Sequence, residues 1–312
     1  MTKSAKGLVI KSTGSWYLVK DSESGKLLKC KLKGKFRIKG IKATNPVTVG
    51  DIVHYDLDAQ HDGAVITNIE KRKNYIIRRS SNLSKQYHLL AANVDLAVLV
   101  VTIISPETYL EFIDRYLISA EAYRVPVLLV FNKIDIYDEK AMIKCDSLIE
   151  TYEKIGYECL KTSVTENINI ELFKTQLSGK ISVINGNSGV GKSSLINAVC
   201  PDMKLKTNNV SDQHKTGKHT TTFAELHEVE GDIKLIDTPG IRGFGTIDLE
   251  KKQLFHYFRE IFEASGDCKF NNCQHMNEPG CNVKKLVKSG EISTFRYQNY
   301  LSILCEEEGK YR

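Results

Sequence analysis

The sequence predicts a multi-domain protein: an N-terminal small β-barrel over residues 1–74, a central α/β domain over 75–247, and a small α-helical domain over 248–312. Three observations carry that division. The first quarter is a series of short β-rich runs separated by Gly, Asn, Asp and Ser turn signals, without a helical period, as a small barrel reads. From Asp95 onward, apolar runs of buried-strand type alternate with stretches of helical spacing, the pattern of βα units. Near the C-terminus, three cysteines and a histidine fall between Cys268 and Cys281, a density that in a reducing compartment points to metal rather than disulfides.

Bulk properties set the outer bounds. A chain of 312 residues can hold two or three domains with sizeable cores. The N-terminal stretch MTKSAKGLVIKSTGSW lacks the apolar run of a signal peptide, and the longest apolar stretch, Leu96 to Ile104, is too short to span a bilayer. A cytoplasmic protein without membrane association is therefore expected, monomeric by default. The net charge of +6 is unevenly placed, because residues 1–79 hold 17 Lys/Arg against 7 Asp/Glu. Such asymmetry marks a segment that meets a polyanion.

In the barrel region, strands are expected at Gly7–Lys11, Ser15–Lys20, Leu27–Leu32, Asp51–Leu57 and Ala64–Glu70. Lys29, Lys31, Lys33, Lys35, Arg37 and Lys39 alternate with Cys30, Leu32, Gly34, Phe36 and Ile38, so period two puts the cations on one side. Along an extended chain this row repeats every ~7 Å, comparable to the phosphate spacing of an RNA strand. Lys31, Lys33, Lys35 and Arg37 are the expected contacts to such a polyanion, RNA among the candidates, with Trp16, Tyr17 and Phe36 placed to stack on bases or to fill the core.

A basic hinge follows, Lys71-Arg72-Lys73 and then Arg78-Arg79, with a boundary near residue 75. Beyond it the expected strands are Asp95–Ile104, Pro126–Phe131, Glu158–Lys161, Ile181–Asn185 and Ile233–Ile236. The helices between them are Tyr109–Tyr123, Glu139–Lys154, Ile170–Leu177 and one entered at Leu195. In such a sheet ligands bind at the carboxyl ends of the strands.

Those strand ends carry the chemistry. After Ile181–Asn185 come Gly186, Asn187, Ser188, Gly189, Val190, Gly191, Lys192, Ser193 and Ser194, with the spacing of a phosphate-binding loop. The glycines let successive N–H groups turn inward around a phosphate at a helix N-terminus, Lys192 reaches the β- and γ-phosphates, and Ser193 offers an oxygen to Mg²⁺. After Pro126–Phe131 come Asn132, Lys133, Ile134 and Asp135. In a guanine site such an Asp accepts hydrogen bonds from N1–H and the exocyclic amine, the Lys stem lies against the ring, and the Asn tethers the loop. Adenine has no N1–H, and an unpaired buried carboxylate sets a discrimination on the order of 10³-fold, so the tetrapeptide favours GTP over ATP. Thr162 and Ser163, after Glu158–Lys161, supply a loop over the guanine oxygen. A polar stretch then ends in His219-Thr220-Thr221-Thr222, with Thr221 expected to bind Mg²⁺ and sense the γ-phosphate. Asp237-Thr238-Pro239-Gly240 follows, where Asp237 holds Mg²⁺ through water and the Gly240 N–H meets the γ-phosphate.

The motifs thus run as base recognition, phosphate loop, switch threonines, Asp-Thr-Pro-Gly. Ordinary small GTPases begin with the phosphate loop and end with base recognition, so the central domain reads as a circularly permuted P-loop GTPase. Ser178-Gly179-Lys180 is the joint where the old ends meet. In the C-terminal region Cys268, Cys273, His275 and Cys281 suit a closed tetrahedral Zn²⁺ site, structural because no ligand position is left for water. Helices are expected on either side of it, at about Leu249–Ala264 and Glu291–Glu307.

This set of features resembles the RsgA/YjeQ family of circularly permuted GTPases dependent on the small ribosomal subunit. The likeness rests on an N-terminal OB-like β-barrel, NKID at 132–135, GNSGVGKSS at 186–194, HTTT at 219–222, DTPG at 237–240 and the Cys-Cys-His-Cys set. It implies a factor in late small-subunit maturation that binds the small ribosomal subunit and 16S rRNA, is stimulated by the subunit, and leaves on GTP hydrolysis. Where many GTPases carry a water-orienting glutamine after the glycine, this chain has Ile241, so intrinsic turnover is expected to be slow. His219 is the nearest group to position water. Taken alone such a histidine is more often a solvated loop residue, and the resemblance supports it as the catalytic one. Two other classes stay open on residues alone: a binding protein using GTP only to hold a shape, and a P-loop ATPase or kinase, against which NKID argues.

Overall fold

The computed structural model describes residues 5–32, 45–57, 63–79, 87–203, 224–229, 232–237 and 250–306. The first five strands, β1 (Ala5–Ser12), β2 (Tyr17–Asp21), β3 (Leu27–Leu32), β4 (Ile52–Leu57) and β5 (Ala64–Ile69), pair in the cyclic order β1-β2-β3-β5-β4 and close back on β1. Only β3 and β5 run parallel. Alternation decides what faces inward: Val9, Val19, Cys30, Val53, Tyr55 and Ile66 fill the barrel, and Lys29 and Lys31 flank buried Cys30 on the outside. Tyr17 is 1% exposed and belongs to this core, which removes it as a stacking residue. Trp16 stays at the surface with the Lys29 ammonium 5.0 Å from its ring centre. Lys33, Lys35, Phe36 and Arg37 lie outside the described residues.

The Arg78-Arg79 half of the basic hinge ends β6 (Tyr75–Arg79), which pairs antiparallel with β7 (Tyr87–Ala92). Beyond it come β8 (Leu96–Val101), α1 (Leu110–Tyr123), β9 (Val127–Asn132), α2 (Glu139–Lys154), β10 (Glu158–Thr162), α3 (Ile170–Leu177), β11 (Ile181–Asn185), α4 (Lys192–Val199), β12 (Glu225–Val229) and β13 (Ile233–Asp237). Their sheet order is β10-β9-β8-β11-β13-β12, parallel except for β12. Every residue of β8 and β9 is buried because helices cover both faces. Ala97, Leu99 and Val101 pack with α1 and α2, and Leu96, Val98 and Val100 with α3 and α4. At the permutation joint the Asp232 carboxylate accepts from the Ser178 hydroxyl at 2.9 Å and the Gly179 N–H at 3.0 Å, fixing the turn.

The barrel is built into this sheet, since β1 bridges β12 at Lys11 and Glu225. The joint is tight at Gly50, where φ is +88° and a Cβ would lie 2.0 Å from the Ala92 carbonyl oxygen. Beside it Arg72 grips Asp51 with two hydrogen bonds, at 2.6 and 2.7 Å, and Asp51 is fully buried. One cation of the basic hinge is thereby committed to the interior.

The C-terminal region consists of a 3₁₀ segment (Lys251–Tyr257), α5 (Arg259–Ser265), α6 (Asn282–Ser289) and α7 (Thr294–Cys305). A single helix over 249–264 does not form, because Phe258 is extended (φ −103°, ψ 98°) and drives its ring between Arg296 and Tyr300. The α6 helix lies between the two expected helices and has little sequence signal, because it is short and Lys residues interrupt Val283, Leu286 and Val287. No helix among the described residues is long and apolar enough to cross a membrane.

Candidate nucleotide and metal sites

At the carboxyl edge of the parallel strands, Asn132 draws three loops together. It is 2% exposed, its Nδ2 donates to the Val190 carbonyl of the phosphate loop at 2.9 Å, and its Oδ1 accepts from Thr162 Oγ1 at 2.9 Å. Lys133 turns left-handed (φ 63°) and its ammonium reaches the Ser105 carbonyl at 2.8 Å; partial burial lowers its pKa. Asp135, one residue into the 3₁₀ turn Ile134–Ile136, stays exposed and accepts from Ser163 Oγ at 2.5 Å. Thr162 and Ser163 are therefore parts of the same site, one steadying the Asn and the other the Asp. The Ser105 contact had no signal in the sequence, since a carbonyl group belongs to every residue.

The phosphate loop runs from Gly186 to Gly191, and α4 starts at Lys192, earlier than the apolar pattern indicated. Lys192 Nζ curls over the loop, donating to the carbonyls of Gly186 at 2.8 Å and Asn187 at 2.6 Å. Ser193 and Ser194 occupy the first turn of α4, where the helix presents its positive end. Asp237 ends β13, the parallel neighbour of β11, which sets its backbone at the same sheet edge as the phosphate loop. His219, Thr221 and Gly240 lie outside the described residues. Ser193 and Asp237 are hard oxygen donors of the kind Mg²⁺ takes.

Between α5 and α6, Cys268, Cys273, His275 and Cys281 bring one ligand atom each to within 4.8 Å of the others. His275 Nδ1 lies 3.6 Å from both Cys268 Sγ and Cys281 Sγ. A tetrahedron with Zn–S of about 2.3 Å and Zn–N of about 2.0 Å has S···N edges of about 3.5 Å, so the donor set fits that ion. Burial pushes the Cys273 thiol up to about 12, so a thiolate there needs a cation beside it. The supporting groups are Tyr297 OH on the His275 carbonyl, at 2.5 Å, Tyr300 OH on the Gln274 carbonyl, at 2.8 Å, and the Glu278 carboxylate on the N–H groups of Gln274 and Met276.

Residues 69–247 match the family model described as RsgA GTPase, and residues 6–65 match that of the RsgA N-terminal domain. The small ribosomal subunit biogenesis GTPase RsgA 2 of Bacteroides thetaiotaomicron is 56% identical over 98% of this chain and 99% of its own length. The small ribosomal subunit biogenesis GTPase RsgA of Flavobacterium johnsoniae is 50% identical over 98% and 94%. Among solved structures, YjeQ from Thermotoga maritima superimposes with a TM-score of 0.79 at 38% identity, covering 97% of this chain and 98% of that one. YloQ, described as a circularly permuted GTPase, gives 0.75 at 30% identity, over 97% and 94%.

Proposed function

Because this chain belongs to the RsgA GTPase family and is a GTP hydrolase of ribosome biogenesis, we propose that it binds the small ribosomal subunit through 16S rRNA late in subunit maturation and leaves on hydrolysis. The observation that carries the nucleotide part is Asn132, whose side chain ties the base loop to the phosphate loop at Val190 and to β10 at Thr162. Asp135, held by Ser163, reads the guanine edge, and the Lys133 stem covers the ring. The N–H groups of residues 186–191 and the Lys192 ammonium take the phosphates. Ser193, Thr221 and Asp237 would hold Mg²⁺ with GTP, and the ion would supply positive charge against the phosphates. His219 positions the attacking water, and with Ile241 in place of a glutamine the free protein turns over slowly until the ribosome orders the switch segment. Lys31, Lys33, Lys35 and Arg37 of the barrel lie along the RNA backbone, and Zn²⁺ held by Cys268, Cys273, His275 and Cys281 folds the C-terminal domain. The domain limits are 1–74, 75–247 and 248–312, and the protein works in the cytoplasm as a monomer.

The test is GTP turnover by zinc-loaded protein, alone and with isolated small subunits, large subunits or free RNA. Stimulation by small subunits only, lost in His219→Ala, is the expected result. Tight GTP-dependent binding to small subunits without stimulation would instead make the protein a nucleotide-switched binder.

A further inference from the structure

The base-recognition loop is held from behind by a residue outside its tetrapeptide. Tyr137 follows the 3₁₀ turn Ile134–Ile136, and its ring folds back into the core beside α1 and α2. Its hydroxyl uses both of its capacities on main chain: it donates to the Asn132 carbonyl at 2.8 Å and accepts the Ile103 N–H at 2.8 Å. The Asn132 carbonyl belongs to the peptide that leads into the left-handed Lys133 (φ 63°). A non-glycine residue in that conformation is strained and persists only where neighbouring contacts over-determine it. Ile103 is the second residue of the loop from β8 to α1, and two residues on is Ser105, whose carbonyl takes the Lys133 ammonium. That loop is braced internally, with Thr102 N–H on Thr108 Oγ1 at 3.1 Å and Thr108 N–H on the Thr102 carbonyl at 2.9 Å. One phenol therefore sets both the peptide from which Lys133 departs and the loop on which its side chain ends.

We infer that Tyr137 is a specificity-determining positioning residue of the guanine site, acting through Asn132 and Lys133 without touching the nucleotide. Tyr137→Phe keeps the ring and its packing and removes only the oxygen, so the Lys133 turn and the Ser105 loop each lose a fixed partner. The phosphate loop has its own internal hold from Lys192 and takes the Asn132 side chain at Val190, whereas Tyr137 bonds the Asn132 main chain. The loss therefore falls on base recognition, whereas a purely structural tyrosine would alter stability and leave base preference unchanged. Tyr123 is the matched control, since its hydroxyl also donates to a carbonyl, that of Ile77, at 2.8 Å, and it packs on the same core away from the nucleotide loops.

The experiment is calorimetric titration of nucleotide-stripped full-length protein with GDP and with ADP, for wild type, Tyr137→Phe and Tyr123→Phe, alongside thermal unfolding. In Tyr137→Phe the expected result is an approximately ten-fold weaker GDP affinity with ADP unchanged, while Tyr123→Phe lowers the melting temperature comparably and keeps the wild-type GDP/ADP ratio. Unchanged GDP affinity in Tyr137→Phe, equal losses for GDP and ADP, or the same loss in Tyr123→Phe would overturn the assignment. It rests on guanine being the base read here, and a wild-type protein without GDP preference would refute that premise instead.

Discussion

Replacing Arg296 by methionine tests what fastens the C-terminal region to the α/β domain. Arg296 on α7 is 1% exposed, with Nη1 2.6 Å from Asp114 on α1 and Nε and Nη2 at 2.7 and 3.0 Å from Glu260 on α5. Burial disfavours the cation, and the Asp114 and Glu260 carboxylates outweigh that, so the guanidinium stays charged. Methionine keeps most of the volume against the Phe258 and Tyr152 rings, which limits the cavity. Glu260 lies near enough to solvent to rehydrate, but Asp114 is 0% exposed and keeps only Asn299 Nδ2 at 2.6 Å and Tyr152 OH at 3.0 Å. Stranding one member of a buried pair costs about 3–5 kcal/mol, and removing both charges costs far less. Arg296→Met should therefore lose about 3–5 kcal/mol in urea unfolding followed by far-UV circular dichroism, and adding Asp114→Asn should recover about half or more. The pH dependence has a definite sign. In the variant, burial of Asp114 is opposed only by Asn299 and Tyr152, so its folded pKa stands above the unfolded value of about 3.9. Its contribution is then intact below the unfolded value and is lost as pH rises through the folded one. The deficit of Arg296→Met should grow from pH 4 toward neutrality. A loss under about 1 kcal/mol at pH 7, or full additivity with Asp114→Asn, would refute the assignment of strength to this pair.

At the barrel joint, Gly50→Ala forces a methyl to within 2.0 Å of the Ala92 carbonyl in addition to a positive φ, whereas Gly25→Ala meets nothing nearer than 3.9 Å. The first should cost about 3 kcal/mol or more and the second about 1–2 kcal/mol, read by thermal unfolding; equal losses would mean that the joint yields freely. Metal analysis should find one zinc per chain, and chelation or Cys273→Ser should melt the C-terminal helices by circular dichroism while GDP binding persists; zinc-free protein with those helices intact would refute the metal's folding role. Asp135→Asn should weaken GDP by about 10²-fold or more and gain xanthosine diphosphate affinity, measured by competition binding; unchanged specificity would remove Asp135 from base recognition.

What the sequence could specify was local chemistry. The phosphate loop, Asn132 to Asp135, the cysteine set and the four elements Leu27–Leu32, Glu139–Lys154, Ile170–Leu177 and Ile181–Asn185 were legible because spacing and side-chain type along a few residues decide them. The permuted order was legible for the same reason, since motif order is itself a property of the chain. What the tertiary structure alone decided was which ambiguous residues go inside. Arg72 reads as one of a basic run yet serves as the buried partner of Asp51; Arg296, within the expected helix Glu291–Glu307, is sealed between three elements. Tyr17 and Trp16 are adjacent aromatics, and barrel closure buries one and leaves the other at the surface. The break at Phe258 likewise follows from its packing against Arg296 and Tyr300, about forty positions downstream. A charge or an aromatic ring has no fixed side of the surface until distant segments supply a partner or a cavity, and Arg296 and Asp114 are 182 residues apart in sequence.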